Sequence, residues 1–169
     1  MHNAPAPQSL DETDFSILSL LQEDASITNA ELAKKAGLSA SACLGRVRRL
    51  KKGGIIKGFA AVLDERKLGL EVVTYVFVVL NPHDRQTTEA FLARVREIPR
   101  IQECYNISGD YDYLLKIVSP SLQDYRNFII DTLIEVPGVG KVETSVVLSS
   151  EKQSYRLPLP ESRIKQPRQ

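Results

Sequence analysis

Apolar residues at Ile17, Leu18 and Leu21 recur at the spacing that puts them on one face of a helix. Asp11 is placed to cap that helix, and Leu10 and Phe15 sit at the spacing of a hydrophobic staple, so the pattern predicts a first helix over 12–23. Thr28 and Glu31 form a capping box that opens a second helix, which Gly37 ends, because glycine takes a left-handed conformation at no Cβ penalty. Ser39 then caps a third helix reaching to about Lys52. Ala33 is small where the second and third helices must approach, and Leu38, Cys43, Val47 and Leu50 fill the contact between them. This is a helix-turn-helix pattern over residues 10–54.

Beyond Gly53 and Gly54 the residues from Ile55 to Leu63 favour extended structure, which predicts a connecting strand or wing within a hinge over 55–70. From Glu71 to Leu80 the valine-rich run reads as a buried sheet strand, ended by Asn81-Pro82. Phe91, Leu92, Val95 and Ile98 give a helix, and 101–108 and 113–118 a hairpin around the Gly109 turn. Leu122, Tyr125, Phe128, Ile129 and Leu133 give another helix after Ser121, and 142–148 a last strand. Strand, helix, strand, strand, helix, strand over 71–150 is the ferredoxin-like βαββαβ order. The fold class expected is therefore α+β, a winged-helix-type helix-turn-helix domain followed by a ferredoxin-like domain. Two helices would cover one face of the sheet, and a second copy of the chain the other. Residues 1–9 read as a flexible arm and 151–169 as a tail.

Composition changes this picture little, at 43% hydrophobic and 25% charged. The apolar run from Val72 to Leu80 is far shorter than the roughly 20 residues of a membrane helix. The amino-terminal residues lack the pattern of a secretory signal, so a cytoplasmic protein without a membrane partner is expected. Cys43 and Cys104 read as buried free thiols, and with only His2 and His83 a histidine metal site or a Ser-His-Asp triad has little material. No cofactor, metal or catalytic residue is expected.

Charge, however, is segregated. Lys34, Lys35, Arg46, Arg48, Arg49, Lys51, Lys52 and Lys57 are eight bases in a stretch without one acid, and removing them from a total of +1 leaves −7 on the rest. A solvated helix face would usually interleave acids at four-residue spacing, and here there are none. The stretch suits a polyanion, and double-stranded DNA is the expected partner. With Cys43, Val47 and Leu50 inward, Ser41, Gly45, Arg48, Arg49 and Lys52 point toward the major groove, with Ser39 at the helix start. Arg46 lies at the border of the two faces and suits a phosphate contact or a pair inside the domain equally.

Taken in order, Leu10-Asp11 with Asp14 and Ile17-Leu18, Glu31-Leu32-Ala33, Gly37-Leu38-Ser39, Cys43-Leu44-Gly45-Arg46-Val47, the Gly54–Phe59 run, Gly109-Asp110-Tyr111-Asp112-Tyr113 and Pro137-Gly138-Val139 resemble the Lrp/AsnC family of feast/famine regulators. The resemblance covers about 10–157. It implies a transcriptional regulator, dimeric through its C-terminal sheets and assembling into octamers or larger, whose assembly or DNA binding answers to an amino acid held between dimers, leucine or another small one. In such a family the effector's charged groups are held by the loop that is here Gly109, Asp110, Tyr111 and Asp112, with Asn106, Ser108, Leu122, Thr144 and Ser145 as further lining. A glycine turn lets backbone N–H groups approach a carboxylate, and Asp110 or Asp112 suits an ammonium. By itself the loop reads as a plain hairpin turn with solvated aspartates. Gly45 departs from the family, which usually has a longer residue there. Two other classes share the plan: a siroheme decarboxylase-like enzyme, for which His2 and His83 are poorly placed, and an effector-binding partner without DNA binding, which the intact 39–52 helix disfavours.

Overall fold

In the computed structural model, residues 9–160 are described. The arm expected over 1–9 and the end of the tail therefore fall almost wholly outside the described residues, as does His2. The described chain forms two compact units, one running to Ala61 and joined by the residues from Lys152 onward, the other spanning Val62–Glu151. The tail segment 152–160 thus belongs with the first unit, although it follows the last strand in sequence.

The first unit holds α1 (Glu12–Glu23), α2 (Asn29–Ala36) and α3 (Ala40–Lys52). Asp11 caps α1 in a full capping box closed by Asp14, and Thr28 with Glu31 does the same for α2. Gly37 ends α2 at φ 67°, in the left-handed region, and Ser39 caps α3. Ile17, Leu32, Ala33, Cys43 and Leu50 form the buried core.

No strand forms between Ile55 and Leu63, which corrects the expected connecting strand. Strand propensity measures fit to a half-buried pleated surface. Among the described residues no strand lies beside this segment, and Ile55, Phe59, Val62 and Leu63 are exposed. A short 3₁₀ turn at Arg66–Leu68 ends at Gly69.

The second unit holds β1 (Val72–Leu80), α4 (Arg85–Arg96), β2 (Ile101–Asn106), β3 (Tyr113–Ser119), α5 (Leu122–Phe128) continued by a π turn over Ile129–Leu133, and β4 (Val139–Val146). β4 starts three residues earlier and ends two earlier than the pattern predicts. All pairings are antiparallel in the order β2-β3-β1-β4, the ferredoxin-like arrangement. Val76, Val78 and Leu80 of β1 and Tyr113, Leu115 and Ile117 of β3 pack with Phe91, Val95, Tyr125 and Phe128 of the helices. The alternate residues Tyr75, Phe77, Val79 and Leu114 lie on the other sheet face, half-buried. Among the described residues no helix is long and apolar enough to cross a membrane.

Candidate nucleic-acid interface and ligand loop

The helix-turn-helix is held by short-range bonds whose donors are fixed by sequence. Asn29 Nδ2 donates to the Ala40 carbonyl at 2.9 Å, joining the start of α2 to the start of α3, and the Leu38 N–H donates to the Ala33 carbonyl at 2.9 Å. Residues on α3 step around its axis by about 100° each. Cys43 and Leu50 are buried with Val47 beside them, so Ser41, Gly45, Arg48 and Lys52 form the opposite, exposed face. The Ser39 hydroxyl accepts the Ala42 N–H at 3.2 Å and lies 3.2 Å from the Ser41 hydroxyl, so Ser39 acts as the helix cap at the edge of that face.

Arg46 forms the internal pair that is one of its two expected alternatives, and Arg49, half-exposed on the flank of the groove-facing set, also pairs inside the domain. Arg46 Nη1 donates to Asp11 Oδ2 at 2.7 Å and to Asp14 Oδ1 at 2.8 Å, and Arg49 Nη2 donates to Asp14 Oδ2 at 2.6 Å. Asp14 is fully buried, and its Oδ2 also accepts the Asp11 N–H at 3.2 Å. The reason is local: three residues apart on α3, the two guanidiniums sit on the shoulder facing α1, where a buried carboxylate needs pairing. Partial desolvation acts against ionisation of Asp11, but hydrogen bonds from Arg46 and the Asp14 N–H hold its carboxyl below the usual range. Sequence reasoning missed Asp14 as a structural centre. The available signal was an Asp-x-x-Asp box followed by two arginines spaced by three.

At the other candidate site, Gly109 has φ 121°, a region that L side chains rarely adopt, and an added Cβ would meet nothing within 4 Å, so the backbone alone demands glycine. Ser108, Gly109 and Asp110 are exposed. Asp112 turns inward: its Oδ2 accepts the Leu80 N–H at 2.8 Å, its Oδ1 lies 3.2 Å from His83 Nδ1, and its own N–H donates to the Val78 carbonyl at 2.9 Å. Of the two aspartates expected to suit an ammonium, Asp112 is thus already engaged within the domain. Asn106 Nδ2 donates to the Asp112 carbonyl at 2.9 Å and closes the loop. Tyr111 lies over Phe77 on the open sheet face, with centroids 5.0 Å apart, and its hydroxyl donates to Glu143 at 2.5 Å; that bond raises the phenol's pKa. Asp112→Ala leaves the Leu80 N–H without its acceptor at the end of a core strand. It is expected to cost about 1–3 kcal/mol in thermal denaturation, so altered ligand response in that variant must be read beside its stability.

Three other lining candidates are dispersed. Thr144 faces the helices, its hydroxyl 2.5 Å from that of Tyr125, whereas Ser145 pairs across from Tyr75 on the open face. Neighbours on a strand face opposite ways, so the two do not line one surface within this chain. Leu122, exposed at the start of α5, follows the Ser119 end of β3, while the Gly109 loop precedes its Tyr113 end; the strand between spans roughly 20 Å. Among the described residues no three His, Cys, Asp or Glu are grouped as a metal site would need. Burial raises the pKa of both free thiols, Cys43 and Cys104.

A model of the winged helix-turn-helix DNA-binding domain matches residues 10–57, and one of the Lrp/AsnC ligand binding domain matches residues 73–157. Transcriptional regulator AzlB of Bacillus subtilis (strain 168) is 49% identical over 152 residues, spanning 90% of this chain and 97% of that one. The leucine-responsive regulatory protein of Escherichia coli K12 is 42% identical over 150 residues, spanning 89% and 92%. Among solved structures, a transcriptional regulator of Neisseria meningitidis in complex with L-methionine superposes with a TM-score of 0.86 at 34% identity, covering 91% of this chain and 99% of that one.

Proposed function

Since the chain belongs to the Lrp/AsnC family of transcriptional regulators, we propose that it grips duplex DNA through the outward face of α3 and answers to a small amino acid held at the Ser108–Asp110 backbone. The observation that carries the DNA half is the acid-free stretch from Lys34 to Lys57, from which Ser41, Gly45, Arg48 and Lys52 stand outward on a capped, pinned helix. Two protomers with α3 helices about 34–36 Å apart would read successive major grooves on one side of the duplex. The half-buried apolar face of Tyr75, Phe77, Val79 and Leu114 supports pairing with a second copy, the step that makes such a dimer and from which larger assemblies grow. The protein works where DNA is, in the cytoplasm.

For the ligand half, the exposed Gly109 turn offers backbone donors to a carboxylate, and of the two candidate aspartates the exposed Asp110 is the partner for an ammonium. The L-methionine complex of the Neisseria regulator supports the amino acid class. A thermal-shift screen of the twenty amino acids tests this. A ligand at 100 times its dissociation constant adds about 2.7 kcal/mol to stability, and the shift should vanish in Asp110→Ala. No shift with any amino acid, or a full shift in Asp110→Ala, contradicts the loop as the site.

A further inference from the structure

We propose that Asp14 is a positioning residue for DNA recognition, which withholds Arg46 and Arg49 from the phosphates and leaves Arg48 and Lys52 as the DNA-contacting cations of α3. The inference rests on the DNA-binding reading of the outward face and adds to it a division of labour among the arginines.

Asp14 is wholly enclosed, and both carboxylate oxygens are taken by guanidinium groups at 2.8 and 2.6 Å, with the Asp11 N–H as a third donor. Asp11 Oδ2 accepts from the same Arg46 Nη1 at 2.7 Å. The carboxylates of the α1 cap and of its first turn thus meet two guanidiniums of α3, and the formal charges of the cluster cancel. A buried carboxylate stripped of a partner is strongly destabilising, so drawing Arg49 out to a phosphate would leave Asp14 Oδ2 with only the weaker backbone donor. The pairing therefore outcompetes a solvent-screened phosphate. Arginine suits the role because each terminal nitrogen carries two N–H donors, and Arg46 Nη1 serves both carboxylates.

The consequence concerns specificity. Phosphate contacts bind any sequence equally and are steeply salt-dependent, whereas base edges carry the sequence information. Two more free arginines beside the groove would raise affinity for all DNA without raising discrimination. By neutralising them, Asp14 both fixes the angle of α3 against α1 and trims the non-specific component.

The test uses the full chain and a 30-base-pair duplex of mixed sequence, with binding measured by fluorescence anisotropy against salt, and melting followed in parallel. Arg48→Ala should lower the slope of log affinity against log salt by about 0.9 for each protomer engaged, with the melting temperature unchanged. Arg49→Ala should do the reverse, lowering the melting temperature with less than half that change in slope. Arg49→Gln keeps donors for Asp14 without the charge and serves if Arg49→Ala does not fold; its slope should also stay near the parent's. Asp14→Asn should steepen the slope and tighten binding to mixed sequence. A slope lost in the Arg49 variants as in Arg48→Ala, at unchanged melting temperature, overturns the proposal. An Arg48→Ala slope equal to the parent's overturns the outward-face reading instead, and the two failures are distinct because Arg48 pairs with neither Asp11 nor Asp14.

Discussion

Replacing Arg48 and Lys52 together by alanine is expected to weaken binding to duplex DNA roughly 30-fold for each protomer engaged at about 0.15 M salt, taking a slope of about 0.9 per phosphate contact. Both side chains are exposed, and no ion pair of either is formed with another described residue, so stability should hold within about 0.5 kcal/mol. α3 keeps its Ser39 cap, its Cys43 and Leu50 anchors and its Arg46 and Arg49 struts in this variant. Binding isotherms at several salt concentrations, with a melting curve for each protein, check both halves. An affinity within threefold of the parent would place the groove contacts on another surface.

Gly138→Val is expected to destabilise the ligand domain by about 3 kcal/mol or more, among the larger effects of a single substitution. Gly138 has φ 86°, and an added Cβ would stand 2.0 Å from Thr87 Cγ2, in the first turn of α4. Its carbonyl accepts the Asn81 N–H at 2.8 Å, so the backbone there is tied to the end of β1 and has little room to retreat. The strain of the left-handed conformation, about 1–2 kcal/mol for an L residue, adds to the clash. A domain of this size loses about 4–8 °C for each kcal/mol. Calorimetry should show the 62–151 transition moving down while that of the helix-turn-helix unit stays; an unmoved transition would mean that the turn before β4 does not press on α4.

What the chain states locally it states well. Asp11, Thr28 and Ser39 each sit beside the N–H groups they cap, so helix starts were legible from residues three apart. The fate of Arg49 was not, because Asp14 lies 35 positions away and its burial depends on how α1 meets α3. The engagement of Asp112 was not legible for a similar reason: hairpin turns usually expose their aspartates, but this one reaches across to the end of β1. The separation of Leu122 from the Gly109 loop was implicit in the element order, since β3 lies between them, and so was the opposition of Thr144 to Ser145 once the strand was recognised. The 55–63 segment has strand-like residues without a neighbouring strand among the described residues, and propensity alone does not supply one.

The proposed function couples an amino acid to the binding of DNA. The most direct measurement is footprinting of the full chain on genomic fragments of its own host, with and without the amino acid that gives the largest thermal shift. Protected segments are expected at a spacing of one helical turn or its multiples, lost at high salt, with an extent or affinity that changes when the amino acid is present. Protection absent from every fragment, or present but indifferent to the amino acid, would contradict the proposed function.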